Sequence, residues 1–488
     1  MSAPTASGLH QKPSIKFGTD GWRGIIADDF TFENVRYAAQ GIANFLRRKP
    51  SPSVVIGYDC RFSADRFAEE VAGVMAAAGV HTYLTDAPSP TQVSSWTILH
   101  KQADGAVVVT ASHNPAEFCG IKYKPEYAGS ASPEVVAELE KEIASVIESG
   151  SVDLLDLENA RATGLVEILD PRPAYRAQVA RMVDLDVLKG AGLKVLHDPM
   201  YGSGSGYVVD LLAGGKTVVE QVRAERNPGF GGIHPEPIPQ NLGSTLELMA
   251  RGGYDLCIAT DGDADRVGII DETGRFINQL EVYALLMDYL LGTKGERGPV
   301  VRTLTSTSMA DRLAEIYGVE CHEVQVGFKY VGPLMISTNA VLGGEESGGF
   351  GFRGHIPERD GVLAGLYFAD MIVRRQLPLS AILAALYEKV GPHAYNRRDI
   401  RTDREGYDEL KRRTYERFAA DPPKEIAGRK VERIRDDDGF KFYLGDGAWA
   451  LIRFSGTEPL MRVYSEAPTQ AEVEELIQAL VDLLEVTA

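Results

Sequence analysis

Short β-branched runs, each followed by a helical pattern, recur through the first 390 or so residues. That alternation confines this part of the chain to α/β units built on mostly parallel sheets. Val54-Val55-Ile56-Gly57 precedes a helical pattern over 68–78, a second strand falls at 106–109, and a helix over 133–148 closes a first block. A second block opens at Leu193-Lys194-Val195-Leu196 and reaches a strand at 254–259. A third runs from Val300-Val301 through a helix at 309–316 to Ala340-Val341-Leu342. The blocks share a pattern but no close sequence repeat. The remainder changes character. Residues 430–434 and 441–444 read as a hairpin around Asp438-Gly439 with a type I′-like turn, and strands follow at 448–454 and 460–464. Thr469 with Glu472 forms a capping box, and Val473, Leu476, Ile477, Leu480 and Leu484 then make one apolar helix face. This is a smaller α+β unit. Boundaries are expected near 165, 275 and 391.

At 488 residues the chain exceeds one ordinary core. Its formal net charge of −18 disfavours a general nucleic-acid or anionic-membrane binder, while leaving room for a local anion pocket. Cys60, Cys119, Cys257 and Cys321 are widely spaced and form no CxxC pair, so a disulfide framework or zinc site is not expected and a reducing cytoplasm fits. The first dozen residues are small and polar, which reads as a frayed tail rather than a signal peptide. No apolar stretch reaches the ~18 residues a membrane helix needs.

Chemistry concentrates in a few loops. The run Val107-Val108-Val109-Thr110-Ala111-Ser112-His113-Asn114-Pro115 places a serine hydroxyl at the carboxyl end of a buried strand, where open α/β sheets hold ligands. GxSxG spacing is absent, so a hydrolase elbow is not indicated. Asp261-Gly262-Asp263-Ala264-Asp265-Arg266 puts three carboxylates on alternate positions of an extended segment, where they repel unless a cation intervenes; hard oxygen donors favour Mg²⁺ or Ca²⁺. An EF-hand is the specific rival, since Glu272 falls at its twelfth position, but Arg266 stands where the turn needs glycine and a strand precedes the loop. Arg453-Phe454-Ser455-Gly456-Thr457-Glu458-Pro459, with Arg462 beyond, suits an anion. Gly343-Gly344-Glu345-Glu346-Ser347-Gly348-Gly349 suits sugar hydroxyls. Gly202-Ser203-Gly204-Ser205-Gly206 lacks dinucleotide spacing and reads as a strand-to-helix turn.

With these loops in this order, and with Gly18-Thr19-Asp20-Gly21-Trp22-Arg23-Gly24 and Gly327-Phe328-Lys329, the chain resembles the α-D-phosphohexomutase family from about residue 15 onward. The resemblance implies four domains around a central cleft: three similar α/β domains (1–165, 166–275 and 276–390) and a smaller α+β domain (391–488). It implies a serine phosphorylated at Ser112 and one Mg²⁺ held by Asp261, Asp263, Asp265 and the Ser112 phosphate. Glu345, Ser347, Lys329 and His355 would meet the sugar, and Arg453, Ser455, Gly456, Thr457 and Arg462 its non-reacting phosphate. His113, Lys122 and Arg266 would act at the reacting phosphate, with Arg23 and Arg359 supporting. The implied reaction interconverts glucose 1-phosphate and glucose 6-phosphate through a sugar 1,6-bisphosphate, with mannose phosphates as further substrates. A phosphoglucosamine mutase or a glucose 1,6-bisphosphate synthase on the same scaffold is the alternative, and a non-catalytic calcium- or phosphate-binding module a distant one. The partners expected are sugar phosphates, acting on a monomer or homodimer. Two departures bear on the sugar. Gly349 stands where several mannomutase and glucosamine mutase relatives place histidine. Gly354-His355-Ile356-Pro357-Glu358-Arg359-Asp360-Gly361 is similar to the glucomutase stretch, with arginine in the lysine position. Arginine is a poor proton acceptor, so Lys122 or His113 is expected as the base.

Overall fold

The computed structural model describes residues 14–18, 20–401, 403–455 and 459–484. The tail expected to fray, and Gly456 and Thr457 of the anion loop, lie outside the described residues. The first sheet has the strand order Trp22–Ile25, Phe118–Pro125, Gly105–Val109, Ser53–Tyr58, His81–Thr85, Val166–Leu169. The last four are parallel neighbours, whereas Phe118–Pro125 runs antiparallel to Gly105–Val109. Val107, Val108 and Val109 are fully buried, as a strand covered on both faces requires. Val166–Leu169, placed at the head of the second block by the sequence boundary, instead pairs with His81–Thr85 and completes the first sheet.

The second sheet orders Phe276–Ile277, Val267–Asp271, Leu256–Thr260, Lys194–Asp198 and Val218–Gln221. The third orders Cys321–Val324, Val300–Thr303, Leu342–Gly344 and Phe350–Phe352. All three sheets share one device. A parallel strand ends, a short loop follows, and the chain returns as an antiparallel neighbour: Gly105–Val109 into Phe118–Pro125, Leu256–Thr260 into Val267–Asp271, and Leu342–Gly344 into Phe350–Phe352. The serine, triple-aspartate and glycine-glutamate loops are these three turns. One hydrophobic core runs through the second and third sheets, joining Val195, Ile258, Val300, Leu342 and the helix Gly361–Arg375.

The fourth unit has its own core and an antiparallel sheet ordered Ala394–Arg401, Leu460–Ala467, Trp449–Phe454, Phe440–Tyr443 and Arg433–Arg435. The helix Gln470–Leu483 begins with the Thr469/Glu472 capping box and buries Val473, Leu476, Ile477 and Leu480. The expected type I′ hairpin forms differently. Arg435 pairs with Lys441, so the connection spans 436–439, while Arg429–Lys430 pairs with Glu425–Ile426. Within this connection Asp437 is held by Arg435 and Asp438 by Arg453. Among the described residues no helix is long and apolar enough to cross a membrane, and all four cysteines are free.

Candidate active site

Ser112 sits at φ +52°, in the left-handed region, with 1 % of its surface exposed. A buried guanidinium holds the backbone there. Arg61, at 0 % exposure, donates to the carbonyls of Ser112, Asn114, Pro115 and Phe118 at 2.7–2.8 Å. Its Nε donates to Asp59 Oδ2 at 3.1 Å, and the Thr110 hydroxyl donates to the same oxygen at 2.6 Å while accepting from Ser112 N at 2.8 Å. The sequence reading missed this staple. Its signal is a charged pair, Asp59 and Arg61, placed directly after the apolar strand Ser53–Tyr58.

The aspartate loop lies against the serine loop. Ser112 Oγ donates to Asp261 Oδ2 at 2.9 Å. At Gly262 an added Cβ would stand 2.4 Å from the Ser112 carbonyl oxygen, so the two backbones meet at a distance only glycine allows. Asp261, Asp263 and Asp265 are fully buried and each offers an oxygen within 4.8 Å of the others. Burial, and then the neighbouring Asp263 and Asp265, push the Asp261 carboxyl well above the usual carboxylate range. Lys122 Nζ takes the Oδ2 atoms of Asp263 and Asp265 at 2.7 and 3.1 Å, while both Oδ1 atoms are buried without a hydrogen-bond partner. Oriented oxygens without partners in a cluster of like charge fit a hard divalent cation. The EF-hand alternative fails on topology, since strands flank the loop on both sides and Glu272 is bonded to Ser380.

Lys122 also pairs with Asp20 at 3.0 Å. Burial lowers its pKa, but Asp20, Asp263 and Asp265 outweigh burial and hold it above lysine's ordinary value. These carboxylates favour the ammonium form of Lys122 over the free amine a base would need. His113 Nδ1 lies 3.3 Å from Ser112 Oγ. Burial, reinforced by Arg266, Arg23, Lys122 and Arg61, holds the imidazole well below its ordinary pKa, so it is neutral. Arg266 donates its amide to Asp261 at 3.0 Å and pairs with Glu236 at 2.9 Å; Arg23 donates to Asn114.

Arg359 joins the aspartate loop to the glycine-glutamate loop. Its guanidinium reaches Asp265 at 2.9 Å, Asp20 at 2.6 Å and Glu345 at 3.4 Å. Its stem fills the place a side chain at 349 would take: a Cβ on Gly349 would lie 2.2 Å from Arg359 Cδ. Glycine at 349 and arginine at 359 are thus one steric choice. Burial raises the Glu345 carboxyl, against the pull of Arg359. Ser347 is half-buried on the same turn, and the half-buried Lys329 lies 5.2 Å over the Tyr330 ring. His355 departs from expectation. Its side chain is fully buried, bonded to Asp360 at 2.9 Å and stacked on Trp96, so it braces the junction of the blocks instead of meeting a sugar. Asp20 and Glu358, which bind Lys124 from two sides, were also not singled out from the sequence.

On the fourth unit, Arg453 and Arg462 stand directly opposite one another on adjacent antiparallel strands. Like charges so placed repel unless counter-ions or a bound anion offset them. Asp438 meets Arg453 Nε at 3.0 Å, and Asp399 lies 3.9 Å from Arg462 Nε. Ser455 is buried beside this pair in sequence, its carbonyl accepting from Tyr407. Arg397 and Tyr395 reach across to Glu346 of the glycine-glutamate loop at 3.2 and 2.9 Å.

A serine loop lying against a buried carboxylate triad, tied by Arg359 to a glycine-glutamate loop that in turn meets the fourth unit, suits an enzyme of phosphoryl transfer. Known proteins agree. Four models of the phosphoglucomutase/phosphomannomutase family match: α/β/α domain I over 14–149, domain II over 173–274, domain III over 279–390 and the C-terminal domain over 409–483. A phosphoglucomutase/phosphomannomutase of Thermococcus kodakarensis is 30% identical over 477 residues, covering 96% of this chain and 98% of its own. A phosphoglucosamine/phosphogalactosamine mutase of Sulfurisphaera tokodaii is 27% identical, with 96% and 99% covered. A solved structure of phosphomannomutase type from Thermus thermophilus superimposes with a TM-score of 0.84 at 32% identity, with 97% and 99% covered. The chain belongs to the phosphoglucomutase/phosphomannomutase family, the α-D-phosphohexomutases, and is an enzyme of that class.

Proposed function

We propose that the enzyme interconverts α-D-glucose 1-phosphate and glucose 6-phosphate, with mannose phosphates as further substrates. Ser112 is the phosphate carrier. The observation that carries this reading is the contact of Ser112 Oγ with Asp261 at 2.9 Å, beside buried carboxylate oxygens that lack partners. A sugar hydroxyl attacks the phosphoserine phosphorus, the bond from phosphorus to Ser112 Oγ breaks, and a sugar bisphosphate forms. The bisphosphate turns over and returns its other phosphoryl group to Ser112. His113, neutral and adjacent, takes the proton of the attacking hydroxyl. Asp261, Asp263 and Asp265 would hold Mg²⁺, which would supply positive charge for the transferred group. Arg23, Lys122 and Arg266 add cationic charge on that side. Glu345 and Ser347 orient the sugar, and Arg453, Ser455 and Arg462, with the expected Gly456 and Thr457, hold the distal phosphate.

The packing of Arg359 over Gly349 supports glucose as the main sugar, ahead of mannose and glucosamine, because it removes the room for the histidine that several mannomutase and glucosamine mutase relatives place there. A second reading, phosphoglucosamine mutase, is favoured by the names of relatives, among them that of Acetivibrio thermocellus at 28% identity. A coupled assay over glucose, mannose, glucosamine and ribose phosphates with Mg²⁺ separates the two. Glucose phosphates are expected to give the highest kcat/KM, and Ser112→Ala to lower turnover by on the order of 10⁴-fold or more. Highest kcat/KM on glucosamine phosphates would establish the second reading, and full activity in Ser112→Ala would remove the carrier.

A further inference from the structure

The turn over 436–439, longer than the tight hairpin expected, lies along the third unit's backbone at 323–326, just before Gly327-Phe328-Lys329. Arg435 donates to the Glu323 carbonyl at 2.8 Å, and Gln325 Nε2 donates to the Asp437 carbonyl at 2.8 Å. Asp438 spans the two bodies with its two oxygens. Oδ2 accepts from the Val326 amide at 2.9 Å, and Oδ1 accepts from Arg453 Nε at 3.0 Å. A carboxylate bound through one oxygen to fixed backbone holds its other oxygen in place. An arginine bonded through Nε has its guanidinium plane set, with the terminal pair of nitrogens available to an anion.

We propose that Asp438 is a positioning residue for the distal-phosphate grip. It fixes the Arg453 guanidinium from an anchor on the third unit, so that the arginine is correctly aimed only while the fourth unit is docked on Val326. Asp438 itself touches no substrate. It also offsets the repulsion between Arg453 and Arg462 across the strand pair. This inference rests on the reading of Arg453 as a ligand of the substrate phosphate.

The test is a double-mutant cycle on the full-length enzyme. The readouts are dissociation constant and kcat for glucose 6-phosphate or glucosamine 6-phosphate, whichever the unsubstituted enzyme turns over faster. Asp438→Ala is expected to weaken binding about tenfold and to change kcat at saturation less than about threefold. Asp438→Asn, which keeps one acceptor, is expected to fall between Asp438→Ala and the unsubstituted enzyme, and it serves alone if the alanine variant does not fold. In an Arg453→Ala background, either substitution is expected to change binding less than about twofold. An equal loss in both backgrounds would overturn the inference, since Asp438 would then act independently of Arg453. So would a loss confined to kcat, or normal binding in both Asp438 variants while Arg453→Ala binds weakly. If Arg453→Ala itself binds normally, the phosphate-grip reading fails, and the Asp438 inference with it.

Discussion

Arg61 holds the backbone from which Ser112 projects, and at the scale of the residue it is the clearest case of function resting on a side chain that supports the serine from behind. Four carbonyls and the Asp59 carboxylate depend on one fully buried guanidinium. Arg61→Met keeps the volume and removes every one of these donors. It leaves the buried Asp59, whose carboxyl burial already raises to about 6, without its cation, so a loss of about 3–5 kcal/mol in urea unfolding is expected, together with loss of phosphoryl transfer. Unchanged stability would show that the loop is held some other way. Legibility in sequence divides at this scale. Ser112, Asp261, Asp263 and Asp265 were readable because their chemistry is crowded into short loops after apolar strands. Arg61, Asp20, Glu236 and Glu358 were not, because each finds its partners only after the sheets assemble. His355 misled for the same reason: in a stretch similar to the glucomutase one it reads as a sugar contact until Trp96, from the first block, is seen stacked on it.

Elements carry the site by repetition. Each of three sheets ends a parallel strand, turns, and returns antiparallel, and the turns supply Ser112, the three aspartates and Glu345. The alternation of strands and helices was legible. The antiparallel return was not, since a strand buried on both faces shows the same apolar run whichever way it points. Two of these turns touch through Gly262. Gly262→Ala forces its Cβ to 2.4 Å from the Ser112 carbonyl, and the contact is backbone, which yields little. A cost of about 1–3 kcal/mol is expected, with a fall in turnover larger than stability alone explains. Gly190→Ala, whose Cβ meets nothing within 4 Å, is the control expected to leave melting and turnover intact. Equal behaviour of the two variants would contradict the close approach of the loops.

At the scale of the whole molecule, the fourth unit is bound to the third by buried polar groups. Glu466 accepts from Thr307, from the Ser308 amide at 2.8 Å and from Trp449 at 2.6 Å. Glu323 accepts from Lys441 at 2.7 Å and also from Arg302, Arg435 and Tyr443. Burial raises the Glu323 carboxyl, but Arg302 and Lys441 outweigh burial and hold it well below its ordinary value. For Lys441 burial wins instead: it pushes the ammonium down to about 8, helped by Arg302 and opposed by Glu323. The carboxylate, with four donors, is the charge this cluster stabilises. Because the folded state holds the Glu323 proton more weakly than the unfolded state, the contribution is complete above the ordinary glutamate pKa of about 4.3 and is lost as pH falls below it. Glu323→Gln is expected to show a smaller loss of stability between pH 5 and 3 than the unsubstituted protein, read by urea unfolding. An equal loss would place the acid-sensitive group elsewhere. The sequence showed a fourth unit, but not that its 436–439 turn serves the neighbouring unit, because turn propensity is local and docking is not.

The central claim is that Ser112 carries the phosphoryl group. Incubation with glucose 1,6-bisphosphate and Mg²⁺, followed by intact-protein mass and peptide mapping, tests it most directly. One phosphoryl group on Ser112, absent from Ser112→Ala, is the predicted result. Protein that stays unmodified while it turns over sugar phosphate, or a phosphoryl group mapped to another residue, would contradict the account.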